Sequence, residues 1–136
     1  MDYETFLDGV QNRGNLESRD EAEQITLAVL RTLGERLNRT EREHLATQLT
    51  KKLQQAVMSI KDKQSDVFNL EEFYNRVTAR AGVGFPKAVA SSQVVISVLQ
   101  DAIAAGEQRN VIFELPSEYE ELFGLKPERP EFVKYT

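Results

Sequence analysis

Apolar residues recur at helical spacing along almost the whole chain. Phe6 and Val10, with Tyr3, predict a first helix over about residues 3–13, capped by Asp2 and ended by Gly14. Ser18 with Glu21 has the spacing of a capping box, in which a serine oxygen and a glutamate each satisfy a free amide. The helix that follows is expected to reach about Leu37, with Ala22, Ile25, Val29 and Leu33 inward. Thr40 with Glu43 repeats the capping signal before a short helix carrying Leu45 and Leu49. Thr50 then precedes a fourth stripe of Leu53, Val57 and Ile60.

Beyond a polar connector the cycle starts again. Asn69 with Glu72 is a third capping box, ahead of Phe73 and Val77. Gly82 and Gly84 mark a break, and Pro86 stands where a first helical residue belongs. A long helix is expected to reach about Ala105, with Gly106 at the turn. Glu107 to Glu114 predicts a short helix, and Pro116 opens a last one with Tyr119, Leu122 and Phe123, stopped by Gly124. No segment alternates apolar and polar residues long enough to predict a strand. Val111-Ile112-Phe113 is strand-like only locally.

The second cycle echoes the first at a spacing of roughly 66 residues. Phe6, Val10 and Arg13 reappear as Phe73, Val77 and Arg80. Val29, Leu33 and Leu37 reappear as Val95, Leu99 and Ile103, and Glu41, Leu45, Leu49 and Leu53 as Glu107, Val111, Leu115 and Tyr119. The expected fold is all-α: two four-helix units sharing one core, about eight helices in all, followed by an extended tail. The implied organisation is a single domain over residues 1–136. It comprises a first unit (1–60), a connector (61–68), a second unit (69–124) and a tail (125–136) with two prolines in its last eleven residues. Either half alone lies near the lower size limit for independent stability, which favours a shared interior.

Phe6-x3-Val10-x2-Arg13, Ala28-Val29-Leu30-x2-Leu33-x3-Leu37, Leu45-Ala46-x-Gln48-Leu49 and Leu115-Pro116-x2-Tyr119-x2-Leu122-Phe123 together resemble the bacterial domain-of-unknown-function family 2267. The resemblance covers residues 1 to about 125. It implies a small helical bacterial protein and no activity, since that family carries no established catalytic residues. Thr50 stands where similar sequences carry proline, as this chain does at Pro116.

Composition narrows the chemistry. Hydrophobic residues make up 40% and charged residues 29% of the 136, the balance of an ordinary globular protein. No apolar run is long enough for a membrane span, and the acidic start Met1-Asp2-Tyr3-Glu4 lacks the order of a secretory signal. The expected location is the cytoplasm. The absence of cysteine removes disulfides and thiolate chemistry. The net charge is −5, and the acidic excess is shared by both halves, which argues against nucleic-acid binding through phosphate neutralisation.

Candidate chemical groups each have a bland reading that fits better. His44 is the only histidine; Glu41 and Glu43, at i−3 and i−1, do not converge on it well within one helix, so no metal site is expected. Asp20, Glu21 and Glu23, and Glu118, Glu120 and Glu121, fall in first turns, where the helix dipole favours negative charge. Gly82-Val83-Gly84-Phe85-Pro86-Lys87 lacks the preceding strand of a nucleotide loop. Arg31, Arg36, Arg39, Arg42, Lys51 and Lys52 are offset by Glu35, Glu41 and Glu43 and read as a mixed solvated corner. No catalytic residue and no cofactor is expected.

What stands out is apolar surface. The helix from Pro86 to Ala105 carries only Lys87 and Asp101 as charges, so it is expected to be central or to lie in an interface. Val94 and Val98 on that helix, with Phe132, Val133 and Tyr135 in the tail, are the candidate protein-interface residues, although the tail trio is expected first to cover the groove of its own bundle. The expected function is therefore a non-enzymatic module acting through protein contacts, a homodimer being one form of them. The rival reading is a ligand-binding or enzymatic bundle with a cavity between the units, using Ser91, Ser92, Gln93 and Asp101. A helix-turn-helix over residues 31–52 is a third, disfavoured by the acidity.

Overall fold

The computed structural model describes residues 1–60 and 66–125. The described chain is all-α: α1 (Tyr3–Gly14), α2 (Arg19–Arg36), α3 (Arg39–Thr47), α4 (Lys51–Val57), α5 (Leu70–Ala81), α6 (Phe85–Ala102), α7 (Ala105–Glu114) and a 3₁₀ helix (Ser117–Phe123). Most of the connector and the tail beyond Leu125 lie outside the described residues, and with them Phe132, Val133 and Tyr135.

The caps explain where the helices begin. Asp2, Ser18 and Asn69 accept from the amides of Thr5, Glu21 and Glu72, three residues on in each case. Other ends fall elsewhere than the sequence signals suggested. Asn15 (φ 51°), not Gly14, takes the left-handed conformation after α1, a role the short polar side chain of asparagine tolerates. Asn38, not Thr40, caps α3 by accepting from the Glu41 amide at 2.8 Å. Thr50 occupies the N-cap of α4 without a side-chain hydrogen bond. Gly106 lies inside α7, because α6 ends at Ala102 and the turn is made at Ile103 and Ala104.

The two long helices form the centre. α2 packs on α1, α4, α5 and α6, while α6 packs on α1, α2, α5 and the 3₁₀ helix. The first helix of each half thus covers the long helix of the other as well as its own. Residues of both halves accordingly belong to one apolar cluster, from Phe6 and Val10 to Leu122 and Phe123.

Although α2 carries seven charged residues, ten of its eighteen residues are buried. They include the run Ala28-Val29-Leu30, and Gly34, where α4 approaches so closely that a β-carbon would lie 2.0 Å from the Val57 carbonyl oxygen. Its charges are concentrated near the two ends, so their number says little about the middle.

Ala22, Thr26, Val29 and Leu33 on α2, and Ala88, Ser92, Val95 and Leu99 on α6, are all at most 1% exposed. These two sets occupy positions sixty-six apart. Glu21 and Lys87, also sixty-six apart, pair directly. Contacts between such matched positions recur at the opposite end of the bundle, where α3 meets α7.

Candidate functional site

The junction of α3 and α7 gathers most of the buried charge. Glu41 and Glu107 are the third residues of their helices, where a glutamate ordinarily turns back to bond the free N-cap amide. Here both N-cap amides are taken by the opposite half. The Asn38 amide donates to Glu114 Oε2 at 2.6 Å, and the Ala104 amide donates to Gln48 Oε1 at 2.9 Å. Donors and acceptors alike are sixty-six positions apart. The exchange releases both glutamates to face each other.

Glu107 is 6% exposed, and its Oε2, Glu41 Oε2 and Glu114 Oε1 are buried with no amide, hydroxyl or cationic donor. Burial, then a proton shared with Glu107, then the negative charge of Glu107 and Glu114 push the Glu41 carboxyl up to about 8. Burial also raises Glu114, against the pull of the Asn38 amide and of Arg36 and Arg42. His44, one turn on from Glu41 and exposed at the edge of the cluster, brings a ring nitrogen to the same place. One ligand atom from each of Glu41, His44 and Glu107 lies within 4.8 Å of the others.

Arg42 braces this corner from behind. It is fully buried and donates to the carbonyls of Gly34 (2.6 Å), Leu37 (3.0 Å) and Ile60 (3.0 Å), tying the end of α2 to the chain that follows α4. Arg36 is buried too, donating to the Phe68 carbonyl at 2.8 Å and stacking over the rings of Phe68 and Tyr119. Two members of the expected solvated basic corner are thus interior. The Arg42 guanidinium satisfies carbonyls at the end of α2 and beyond α4, and that of Arg36 a loop carbonyl ahead of α5, which no charge count reveals.

A second feature lies between α5, the start of α6 and the 3₁₀ helix. It is a groove of about 720 Å³ lined by Leu70, Tyr74, Phe85, Val89 and Leu125, with Glu71, Glu118 and Glu121 on it. Phe85 and Leu125 are 39% and 44% exposed, and the Phe85 ring stands edge-on to Tyr74 with centroids 5.9 Å apart. Glu121 accepts from the Tyr74 hydroxyl at 3.0 Å and from Gln93 at 3.3 Å. Burial, followed by Glu121, raises the Tyr74 hydroxyl above its ordinary range, so it stays a donor.

The expected interface valines face the chain's own first helix. Val98 is 1% exposed. A β-carbon on Gly9 of α1 would come within 3.3 Å of both its methyls, and one on Gly14 within 3.6 Å of Val94. Val94 and Val98 of α6 are therefore packed on α1. Ser91, Ser92, Gln93 and Asp101 serve different neighbours. The two serines are buried in helix packing, Gln93 reaches the groove, and Asp101 pairs with Arg13 at the surface.

The fold and its interior define a compact all-α bundle with a polar junction where its halves exchange caps. No single helix among the described residues is long and apolar enough to cross a membrane. The chain belongs to the family described as Uncharacterized conserved protein (DUF2267), whose profile matches residues 3–122. No curated protein matches it.

Proposed function

We propose that this protein is a non-catalytic helical module that holds an apolar, basic-flanked segment of another protein in the groove between α5, α6 and the 3₁₀ helix. The observation that carries the reading is Phe85, a large aromatic residue left 39% exposed over a concave apolar floor with Glu71, Glu118 and Glu121 around it. Apolar floors with one sign of charge at the rim favour partners that bring apolar anchors and the opposite charge. On this reading the contact surface is the groove, and not the face of α6 that carries Val94 and Val98.

The test is fluorescence anisotropy with a labelled 15-residue helical peptide, leucine at one face and lysine elsewhere. Saturable binding is expected, weakened by salt, and reduced by roughly tenfold or more in Phe85→Asp, which removes a central aromatic anchor. A matching peptide with glutamate in place of lysine should not bind. Equal binding of the two peptides, or an unaffected Phe85→Asp, overturns the reading. A dimer in sedimentation velocity that Phe85→Asp dissociates would assign the groove to a second copy instead.

A further inference from the structure

We propose that Glu41, His44 and Glu107 form a site for one divalent transition-metal cation, Zn²⁺ or Mn²⁺, at the junction of α3 and α7. Three independent features lead to it. The first is the donor set: two carboxylates and an imidazole supply oxygen and nitrogen ligands whose ligand atoms already lie within 4.8 Å of one another. Bonds of about 2.1 Å around a tetrahedral ion hold ligand atoms about 3.4 Å apart, so torsions of the three side chains suffice to close the shell. An imidazole in the set favours a borderline transition metal over Ca²⁺ or Mg²⁺, which prefer oxygen alone.

The second feature is an unpartnered oxygen. Glu107 is more than nine-tenths buried, and its Oε2 receives no amide, hydroxyl or cationic donor; the Glu41 carboxyl beside it can bond it only by carrying a proton. Buried carboxylate oxygens are ordinarily hydrogen-bonded or hold a cation. Glu41 Oε2 is buried in the same condition.

The third feature is the exchange of caps. Glu114 and Gln48 perform the capping that Glu41 and Glu107 would otherwise perform for their own helices. Both carboxylates are thereby free for a ligand, and neither helix loses its cap. Two carboxylates neutralise the charge of a divalent ion. Glu114 adds a further negative group nearby, its Oε2 held by the Asn38 amide. His44, on the exposed side, is the route of entry and leaves at least one coordination position to water. The ion would tie the third helix of one half to its counterpart in the other.

His44, as the single histidine, is a clean reporter. Tag-free, chelator-treated protein should take up one equivalent of Zn²⁺ by isothermal titration calorimetry at constant neutral pH. Substoichiometric Mn²⁺ should broaden the His44 ring proton signals selectively in NMR. Glu107→Gln and His44→Ala should each weaken Zn²⁺ binding by more than the roughly 10–100-fold typical of outer-shell losses. Both should keep the parent's circular dichroism, since one change is isosteric and neutral and the other lies at an exposed position. The proposal falls if Zn²⁺ and Mn²⁺ do not bind at millimolar concentration, in which case the two glutamates share a proton and nothing more. It falls equally if both variants bind as the parent does, or if Mn²⁺ leaves the His44 signals sharp.

Discussion

Gly34 is the point where α2 and α4 touch main chain to main chain, and Gly34→Ala tests that contact by its sign. The added β-carbon would lie 2.0 Å from the Val57 carbonyl oxygen and 2.8 Å from its carbonyl carbon. Both atoms are backbone, so no side-chain rotation relieves the clash. Relief requires α4 to withdraw by about 1 Å, a gap that forfeits a quarter to a half of each dispersion contact across the seam.

Overpacking of this kind costs about 3 kcal/mol. Opposing it, alanine is favoured over glycine in a helix interior by about 1 kcal/mol. The net expectation is a loss of about 2 kcal/mol, and at this chain length a fall in Tm of roughly 6–10 °C. Gly106→Ala is the matched control. The nearest atom to its new β-carbon is Arg109 Nη2 at 3.9 Å, so propensity acts alone and stability rises by at most about 1 kcal/mol. Urea unfolding followed by circular dichroism measures both. A Gly34→Ala variant as stable as the parent, or more so, would refute the close approach of α2 and α4.

Arg42→Met keeps much of the side-chain volume but strips donors from three interior carbonyls, those of Gly34, Leu37 and Ile60. The expected loss is about 3 kcal/mol or more, read from the same urea transition, and a loss under about 1 kcal/mol would show those bonds to be dispensable. Glu35 supplies a pH dependence. Burial pushes its carboxyl up, but the guanidiniums of Arg80 and Arg76, at 2.9 and 3.1 Å, outweigh that and hold it below its ordinary value. A carboxylate lowered by folding contributes stability that is present above its unfolded pKa and lost as pH falls through the folded one. The stability gap between parent and Glu35→Gln should therefore be full at neutral pH and close on acidification below the ordinary glutamate range. A gap that widens in acid would contradict the pairing.

The helices were legible because their signals are local. Asp2, Ser18 and Asn69 each sit three residues before the amide they cap, and the stripes of Phe6 with Val10 and of Phe73 with Val77 follow the helical period directly. Where several signals competed within a few residues, the reading slipped. Asn38 and Thr40 are both good caps two positions apart, and packing chose Asn38. Gly14 and Asn15 are both able to stop a helix, and the chain turned at the second.

The junction of α3 and α7 was only half visible. The spacing of sixty-six residues paired Glu41 with Glu107 along the sequence, but nothing in that spacing says that the two side chains meet. Read within one helix, however, Glu41 and His44 lacked a third ligand, and Arg36 and Arg42 looked like solvent charges.

By itself the sequence determined the all-helical class, most of the helix order and the family, because periodicity and capping act over a few residues of contiguous chain. Only the tertiary structure decided that α1 covers Val94 and Val98, that Arg42 is buried, and that Glu41 meets Glu107. Each of these depends on the desolvation and charge of groups far apart in the chain, and those are set by which helix packs on which.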